Sequence, residues 1–178
     1  MITTPFKDLP EEARLYVFAA SRSLPAQEET ALLERVDRFL IEWQSHKEPV
    51  SAAREWRHNR FLFIGIDEAA TSLSGCSIDS MTRILKEIET SLGVTMIDGS
   101  AIYYRTSSGI ARASREEFRS LVASGDVTSD TIVFDLTVAK VGDLKAGAFE
   151  LPFRDSWHSR AFKPAGSPRK AGIDEPVR

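Results

Sequence analysis

Residues Leu73–Ser80, LSGCSIDS, hold the only cysteine of this 178-residue chain and come just before an apolar stripe typical of a helix. The positive end of a helix dipole stabilises a thiolate, which is the reactive form of cysteine. Cys76 is therefore a candidate nucleophile, and Gly75 beside it would allow close approach to the backbone. The negative charge of Asp79 acts against a thiolate. The alternative interpretation makes Cys76 a small buried hydrophobe, with Ser77 and Asp79 capping the helix.

A catalytic thiol also needs a general base, and two of the three histidines are candidates. His58 and His158 both lie in polar sequence, and either could take the proton of Cys76 if the fold brings it near. Asp67 follows a strongly apolar segment and could orient that histidine. The sequence contains no C-x-x-C, H-E-x-x-H or H-x-x-E-H pattern, so it gives no sign of a redox pair or a metal site.

Two stretches, EWRHNR at residues 55–60 and DSWHSRAF at residues 155–162, each place tryptophan, histidine and arginine together. If they meet in space, their cationic groups form a cluster in an otherwise acidic protein. Beside the free amides of a helix N-terminus, such a cluster would bind phosphate or carboxylate. The residues of this predicted anion site are Arg57, Arg60, Arg160, Gly75 and Ser77. The alternative is that each tryptophan anchors an irregular loop for the area it buries.

Hydrophobic periodicity predicts the elements that would position these groups. Strands are predicted at Arg14–Ala20, Phe61–Asp67, Ala101–Ala113 (as a hairpin), Thr131–Val138 and Ala148–Leu151, and helices at Pro25–Ser45, from Ile78 to Gly93 and from Ser114 to Gly125. Ser114 and Glu117 have the S-x-x-E spacing of a capping box. Lys47–Arg60 is polar and predicts a long loop.

This order of elements predicts one α/β or α+β domain over residues 1–162. A mixed β-sheet would be covered by about three helices, in the order β-α-β-α-ββ-α-β. The alternative is a break near residue 95 into two subdomains. Residues 163–178 carry three prolines and two glycines without an apolar stripe, so we expect a disordered tail there.

Composition limits the cellular setting and the partners. A net charge of −3 and a pI near 5.7 argue against general nucleic-acid binding. One cysteine cannot form an intramolecular disulfide, and the start of the sequence has no apolar signal segment. The apolar run FLFIGI is far too short to span a bilayer. We therefore expect a cytoplasmic protein with no membrane span and no cofactor.

Four segments carry a resemblance to a known family: LPEEARLYVFAASRSL, HNRFLFIGIDE, SGCSIDS and DSWHSRAF. They resemble a family of short bacterial proteins that are often catalogued as ABC transporter ATPases. Such ATPases hold nucleotide with the string G-x-x-x-x-G-K-[ST], whose amides and lysine cradle the phosphates. That string is absent here, and LSGCS lacks the second glycine and the glutamine of the LSGGQ signature. We therefore expect no P-loop ATPase activity.

Residues Ile102–Phe134 also resemble the GYF-type interaction domain of bacterial multidomain proteins. They follow its order of an aromatic strand, a turn at Gly109, a second strand, a capped helix ending at Gly125, and a strand after Asp130. The Gly-Tyr-Phe triplet of that domain is absent. The resemblance implies a hairpin–helix–strand topology and a peptide-binding role.

These patterns favour a small binding or accessory protein that recognises an anionic ligand or a protein partner. One alternative is a thiol-dependent enzyme with Cys76 as nucleophile and a histidine base. Another is a mainly structural protein that docks to its partner through the C-terminal half.

Overall fold

The computed structural model describes residues 5–162, and the disordered tail predicted at residues 163–178 lies outside the described residues. The strands are β1 (Arg14–Ala19), β2 (Gln44–Ser45), β3 (Glu48–Pro49), β4 (Ala52–Arg57), β5 (Phe61–Ile66), β6 (Ile102–Thr106), β7 (Gly109–Ala113), β8 (Ile132–Phe134) and β9 (Glu150–Pro152). The helices are α1 (Ala26–Glu42), α2 (Gly75–Leu92), α3 (Arg115–Ser124), α4 (Val141–Lys145) and α5 (Trp157–Ala161). Short 3₁₀ helices span Phe6–Asp8 and Phe153–Asp155.

Strand β5 is the centre of the first sheet, as its uninterrupted apolar sequence indicates. Its six residues are all buried, and β1 and β4 pair with it on either side, both antiparallel. Because side chains alternate along a strand, Leu62 and Ile64 point to one face, and Phe61 and Phe63 point to the other. Both faces therefore have to be covered.

Helices α1 and α2 cover the face that carries Leu62 and Ile64. The buried apolar side chains of the two helices are Leu32, Val36 and Leu40 of α1 and Met81, Leu85 and Ile88 of α2. Fully burying one side chain of this size stabilises a fold by about 1.5–3 kcal/mol. Helix α2 ends where Gly93 adopts the left-handed conformation, with φ of 61°, as the sequence predicts.

The C-terminal half forms a second, four-stranded sheet in the order β7-β6-β8-β9. The predicted hairpin is β6 and β7, and α3 follows it with the predicted capping box. The Ser114 hydroxyl accepts a hydrogen bond from the Glu117 amide, and the Glu117 carboxylate accepts one from the Ser114 amide. With β8 next along the chain, residues Ile102–Phe134 have the order hairpin, helix, strand.

The two sheets face each other across an aromatic core. The Phe61 ring lies 5.5 Å from the Tyr103 ring and 4.9 Å from the Phe134 ring, and Phe63 lies 4.8 Å from Phe149. Aromatic pairs of this kind add about 0.5–1.5 kcal/mol each beyond the area they bury. Strands on either side of residue 95 therefore share one core.

Helix α3 and the segment around α5 cover the outer face of the second sheet. The Phe118 ring of α3 lies 5.1 Å from the Phe162 ring and 6.0 Å from the Phe153 ring. These rings pack on Ile102 of β6 and Val133 of β8. The hairpin and α3 are thereby fixed to one another.

The α/β class is confirmed. The strands, however, form several sheets, whereas the sequence predicts a single mixed sheet. Among residues 5–162, every strand pair is antiparallel and the strands form three sheets. Strand β4 lies inside the predicted loop Lys47–Arg60. Its charged residues Arg54, Glu55 and Arg57 conceal the strand pattern, because β4 is an edge strand, where charges prevent unwanted pairing.

Two other elements differ from the prediction for local reasons. Strand β8 stops at Phe134, before the predicted Val138, because the carboxylate of Asp135 accepts hydrogen bonds from the amide and hydroxyl of Thr137 and forms a turn. Helices α4 and α5 have five residues each, which is too short for a helical period to be visible. Across residues 5–162, no helix is both long and apolar enough to cross a membrane.

Candidate functional site

Cys76 lies in the first turn of α2 and is exposed, so the interpretation of a buried hydrophobe is wrong. Ser74 is the N-cap of α2, and its hydroxyl accepts a hydrogen bond from the Ser77 amide at 3.2 Å. Ser77 is itself buried, and its carbonyl accepts a bond from the Trp43 indole at 3.1 Å. Gly75 faces open space. Gly75 and Ser77 therefore form an ordinary helix start that packs on Trp43, just after the end of α1.

His58 lies in the turn between β4 and β5, far from Cys76. Both His58 and the next residue, Asn59, have positive φ, 56° and 51°, as a type I′ turn requires. Arg22, which follows β1, donates to the carbonyl of Leu92 at 3.0 Å, so the C-terminal end of α2 is the end near this turn. Cys76 is one helix length away, about 25 Å for eighteen residues.

Asp67 is likewise remote from His58. It follows the last residue of β5, whereas His58 precedes the first, and six residues of extended strand span about 20 Å. The carboxylate of Asp67 accepts a hydrogen bond from the Ala69 amide at 3.1 Å and stabilises the turn that leaves the strand. Asp67 therefore does not orient His58.

His158 belongs to the core behind the second sheet. Its side chain is stacked on Trp157 at 3.9 Å, packs against Phe118 at 6.0 Å, and has Ser156 Oγ 3.3 Å from Nδ1. Burial lowers its pKa to about 4, and the positive charge of Arg115 acts in the same direction. Within residues 5–162 neither histidine contacts Cys76, so the structure does not assemble the predicted triad.

The three arginines of the predicted anion site have separate partners. Arg57 lies on the face of the first sheet opposite α2, where it pairs with Glu55 at 2.7 Å and covers the Phe63 ring. Arg60 is only 7% exposed and donates to the Ile110 carbonyl at 2.7 Å. Arg160 is exposed on α5. These side chains do not converge on the start of α2.

The structure instead brings His58 to the second sheet. His58 Nε2 lies 2.6 Å from Glu150 Oε1, and Arg105 Nη2 donates to the other carboxylate oxygen at 2.9 Å. We call these three residues the inter-sheet cluster. Partial burial opposes ionisation of Glu150, yet the bonds from His58 and Arg105 outweigh it and hold its pKa below the ordinary 4.5. The cluster therefore links the sheets around an ionised carboxylate.

An open groove of about 650 Å³ lies between α3 and the hairpin β6–β7. We call it the hairpin–helix groove. Its lining residues are Tyr104, Arg112, Ala113, Glu116, Glu117, Ser120, Leu121, Ser124 and Asp126. Tyr104 and Leu121 are both half-buried, and the Tyr104 ring lies edge-on to Phe118 at 5.6 Å. The groove therefore has an aromatic and aliphatic floor fixed by the core beneath it.

Polar and charged groups form the rim of this groove. Arg112 pairs with Asp98 at 2.5 Å, and the Ser124 hydroxyl donates to Asp126 at 2.5 Å. Hydrogen bonds from Ser114 lower the pKa of Glu117, so this carboxylate is ionised at neutral pH. The groove therefore combines a small apolar floor with a mainly polar rim.

Sequence reasoning missed most of these residues. Glu150 and Arg105 carry no local signal, because their contact with His58 depends on how the two sheets pack. Leu121 is half-buried, and only the placement of α3 leaves part of it exposed beside Tyr104. Within the part of the chain that the structure describes, no three His, Cys, Asp or Glu side chains gather as metal ligands would.

Comparison of the chain with family models, curated proteins and solved structures gives no match.

Proposed function

We propose that this chain is a binding or accessory protein that holds an extended segment of a protein partner in the hairpin–helix groove. The observation that supports the proposal is the groove itself, with half-buried Tyr104 and Leu121 on its floor. Its volume of about 650 Å³ lies within the range of about 300–1,000 Å³ typical of ligand clefts.

Tyr104 has the chemical properties of a binding anchor. A tyrosine ring offers a large rigid face together with a polar hydroxyl, and such side chains contribute strongly to binding when they are desolvated. Phe118 holds the ring from beneath, so binding a partner would cost little further ordering of this side chain.

Two further points favour a peptide over a small anion. The hairpin–helix–strand topology around the groove is the one that the resemblance to a GYF-type interaction domain implies. The arginines of the predicted anion site, by contrast, are distributed over different surfaces: Arg57 bonds Glu55, Arg60 bonds the Ile110 carbonyl, and Arg160 lies on α5.

A random peptide display library, selected on the immobilised protein, tests this proposal. Ser120→Trp places a bulky side chain in the groove, and Ala123→Trp makes the same change at an exposed position of α3 outside it. Enriched peptides should bind the wild-type chain and Ala123→Trp, and lose about tenfold or more in affinity for Ser120→Trp, equivalent to about 1.4 kcal/mol. Failure to enrich any peptide, or equal binding to both variants, would contradict the proposed function.

A further inference from the structure

We infer that the segment held in the hairpin–helix groove is cationic, with lysine or arginine side chains directed at the α3 side. The inference rests on the proposed function, since it concerns the same groove. It is drawn from the distribution of charge around the groove lining.

The α3 side of the groove carries three carboxylates. Glu116, Glu117 and Asp126 all line it and all are exposed. Glu117 is kept ionised by the backbone amide and the hydroxyl of Ser114, and Asp126 accepts a hydrogen bond from the neutral hydroxyl of Ser124. Glu116 forms no ion pair within residues 5–162. These carboxylates therefore retain their attraction for a cation.

Among the described residues that line the groove, the single cation, Arg112, already has an acidic partner. Arg112 pairs with Asp98, whose pKa is lowered first by hydrogen bonds from Ser100 and then by Arg112 itself. An ionised Asp98 therefore offsets much of the positive charge of Arg112, and what remains contributes to the lowered pKa of Glu117. The lining as a whole presents an excess of negative charge.

The two arginines of helix α3, Arg115 and Arg119, lie on the side of the helix that faces away from the groove. The guanidinium carbons of Arg115 and Arg119 lie 5.1 Å and 5.7 Å from the Phe162 ring. Phe162 belongs to the core behind the second sheet, and neither arginine lines the groove. The helix thus has an acidic side toward the groove and a basic side away from it. Electrostatic complementarity then selects a positive segment and disfavours an acidic one.

The peptides enriched by the selection described above provide the probe. We expect an excess of lysine and arginine over the unselected library, and binding that weakens as salt is raised because exposed charges are screened. The charge-reversing pair Glu116→Lys with Asp126→Lys should weaken binding by about tenfold or more. The matched control pair, Glu34→Lys with Glu42→Lys on α1, makes the same change of net charge outside the groove and should alter binding by less than about twofold.

Different results would overturn peptide binding in the groove and its cationic specificity. Neutral or acidic peptides that still lose binding with Ser120→Trp would overturn the cationic specificity and leave the proposed function standing. Salt-independent binding to the unsubstituted protein would overturn it as well, and this measurement needs no variant. The absence of any peptide that depends on the groove would overturn both claims.

Discussion

His58 Nε2 lies 2.6 Å from Glu150 Oε1. This contact joins the turn between β4 and β5 of the first sheet to β9, an edge strand of the second sheet. Since a carboxylate oxygen can only accept, the Nε2 atom carries the proton. Arg105 binds the other oxygen of Glu150. The inter-sheet cluster therefore lies against the aromatic core, where His58 and Arg105 both contact the Phe134 ring.

Replacing Glu150 by Gln should destabilise the protein at neutral pH by about 1 kcal/mol, because a half-buried carboxylate that binds both Arg105 and His58 is lost. The folded-state pKa of Glu150 lies below 4.5, so its contribution is present above about pH 4.5 and is lost as the pH falls through the folded value. Urea unfolding of wild type and Glu150→Gln should therefore converge in acid. A difference that persists or grows at low pH would contradict this role.

His158 should make stability depend on pH in a different range. Its pKa falls from 6.5 to about 4 on folding, chiefly through burial, so the unfolded chain binds a proton between these values and the folded chain does not. Stability should then decrease by up to about 3 kcal/mol as the pH drops from about 6.5 to 4. Unfolding of His158→Phe, which keeps an aromatic ring at this position, should lack that part of the pH dependence.

His46→Asn is the matched control for this experiment. His46 is exposed and has a φ of 52°, which asparagine tolerates. The control should follow the wild-type pH profile. If His158→Phe also follows it, His158 is not the group that titrates.

Arg60 should be replaceable by a long apolar side chain. Burial is the largest effect on its pKa and lowers it, and its Nε has no hydrogen-bond partner within residues 5–162. Replacing a buried charge by a well-packed hydrophobe is often neutral or stabilising. We expect Arg60→Met to cost less than about 1 kcal/mol and Arg60→Ala, which leaves a cavity, about 2 kcal/mol or more. Equal losses in urea unfolding would show that the bond to Ile110 dominates.

Gly65 should be intolerant of even one added methyl group. A Cβ there would overlap Leu9 Cδ1 and lie 3.1 Å from Val141 Cγ2, so Gly65→Ala should destabilise by about 1–3 kcal/mol through overpacking. Gly99 faces open space, and Gly99→Ala should change the unfolding free energy by less than about 0.5 kcal/mol. Thermal unfolding that fails to separate the two variants would contradict the close packing over β5.

The elements governed by local rules were predictable. The apolar run of β5 indicated a central strand, Gly93 marked the end of α2, and Ser114 with Glu117 predicted the capping box that the structure contains. Each of these follows from residues within one turn or one strand of each other. Strand β4 was missed because its charged side chains occupy a sheet edge.

The arrangement of candidate functional residues was not predictable in the same way. His58 and Glu150 are 92 residues apart in sequence, and their contact depends on how two separate sheets pack. The proposed triad does not form for a similar reason. Strand β5 begins near His58 and helix α2 begins near Cys76, and these two positions lie at opposite ends of the first sheet and the helices that cover it. The groove likewise arises only from the angle at which α3 meets the hairpin.

Amide chemical-shift mapping with a peptide enriched by selection shows directly whether the hairpin–helix groove binds that peptide. We expect the shifted amides to cluster around Tyr104, Arg112, Ser120, Leu121 and Asp126, which all line the groove. Shifts centred instead on the α1–α2 layer, or on the inter-sheet cluster, would contradict it.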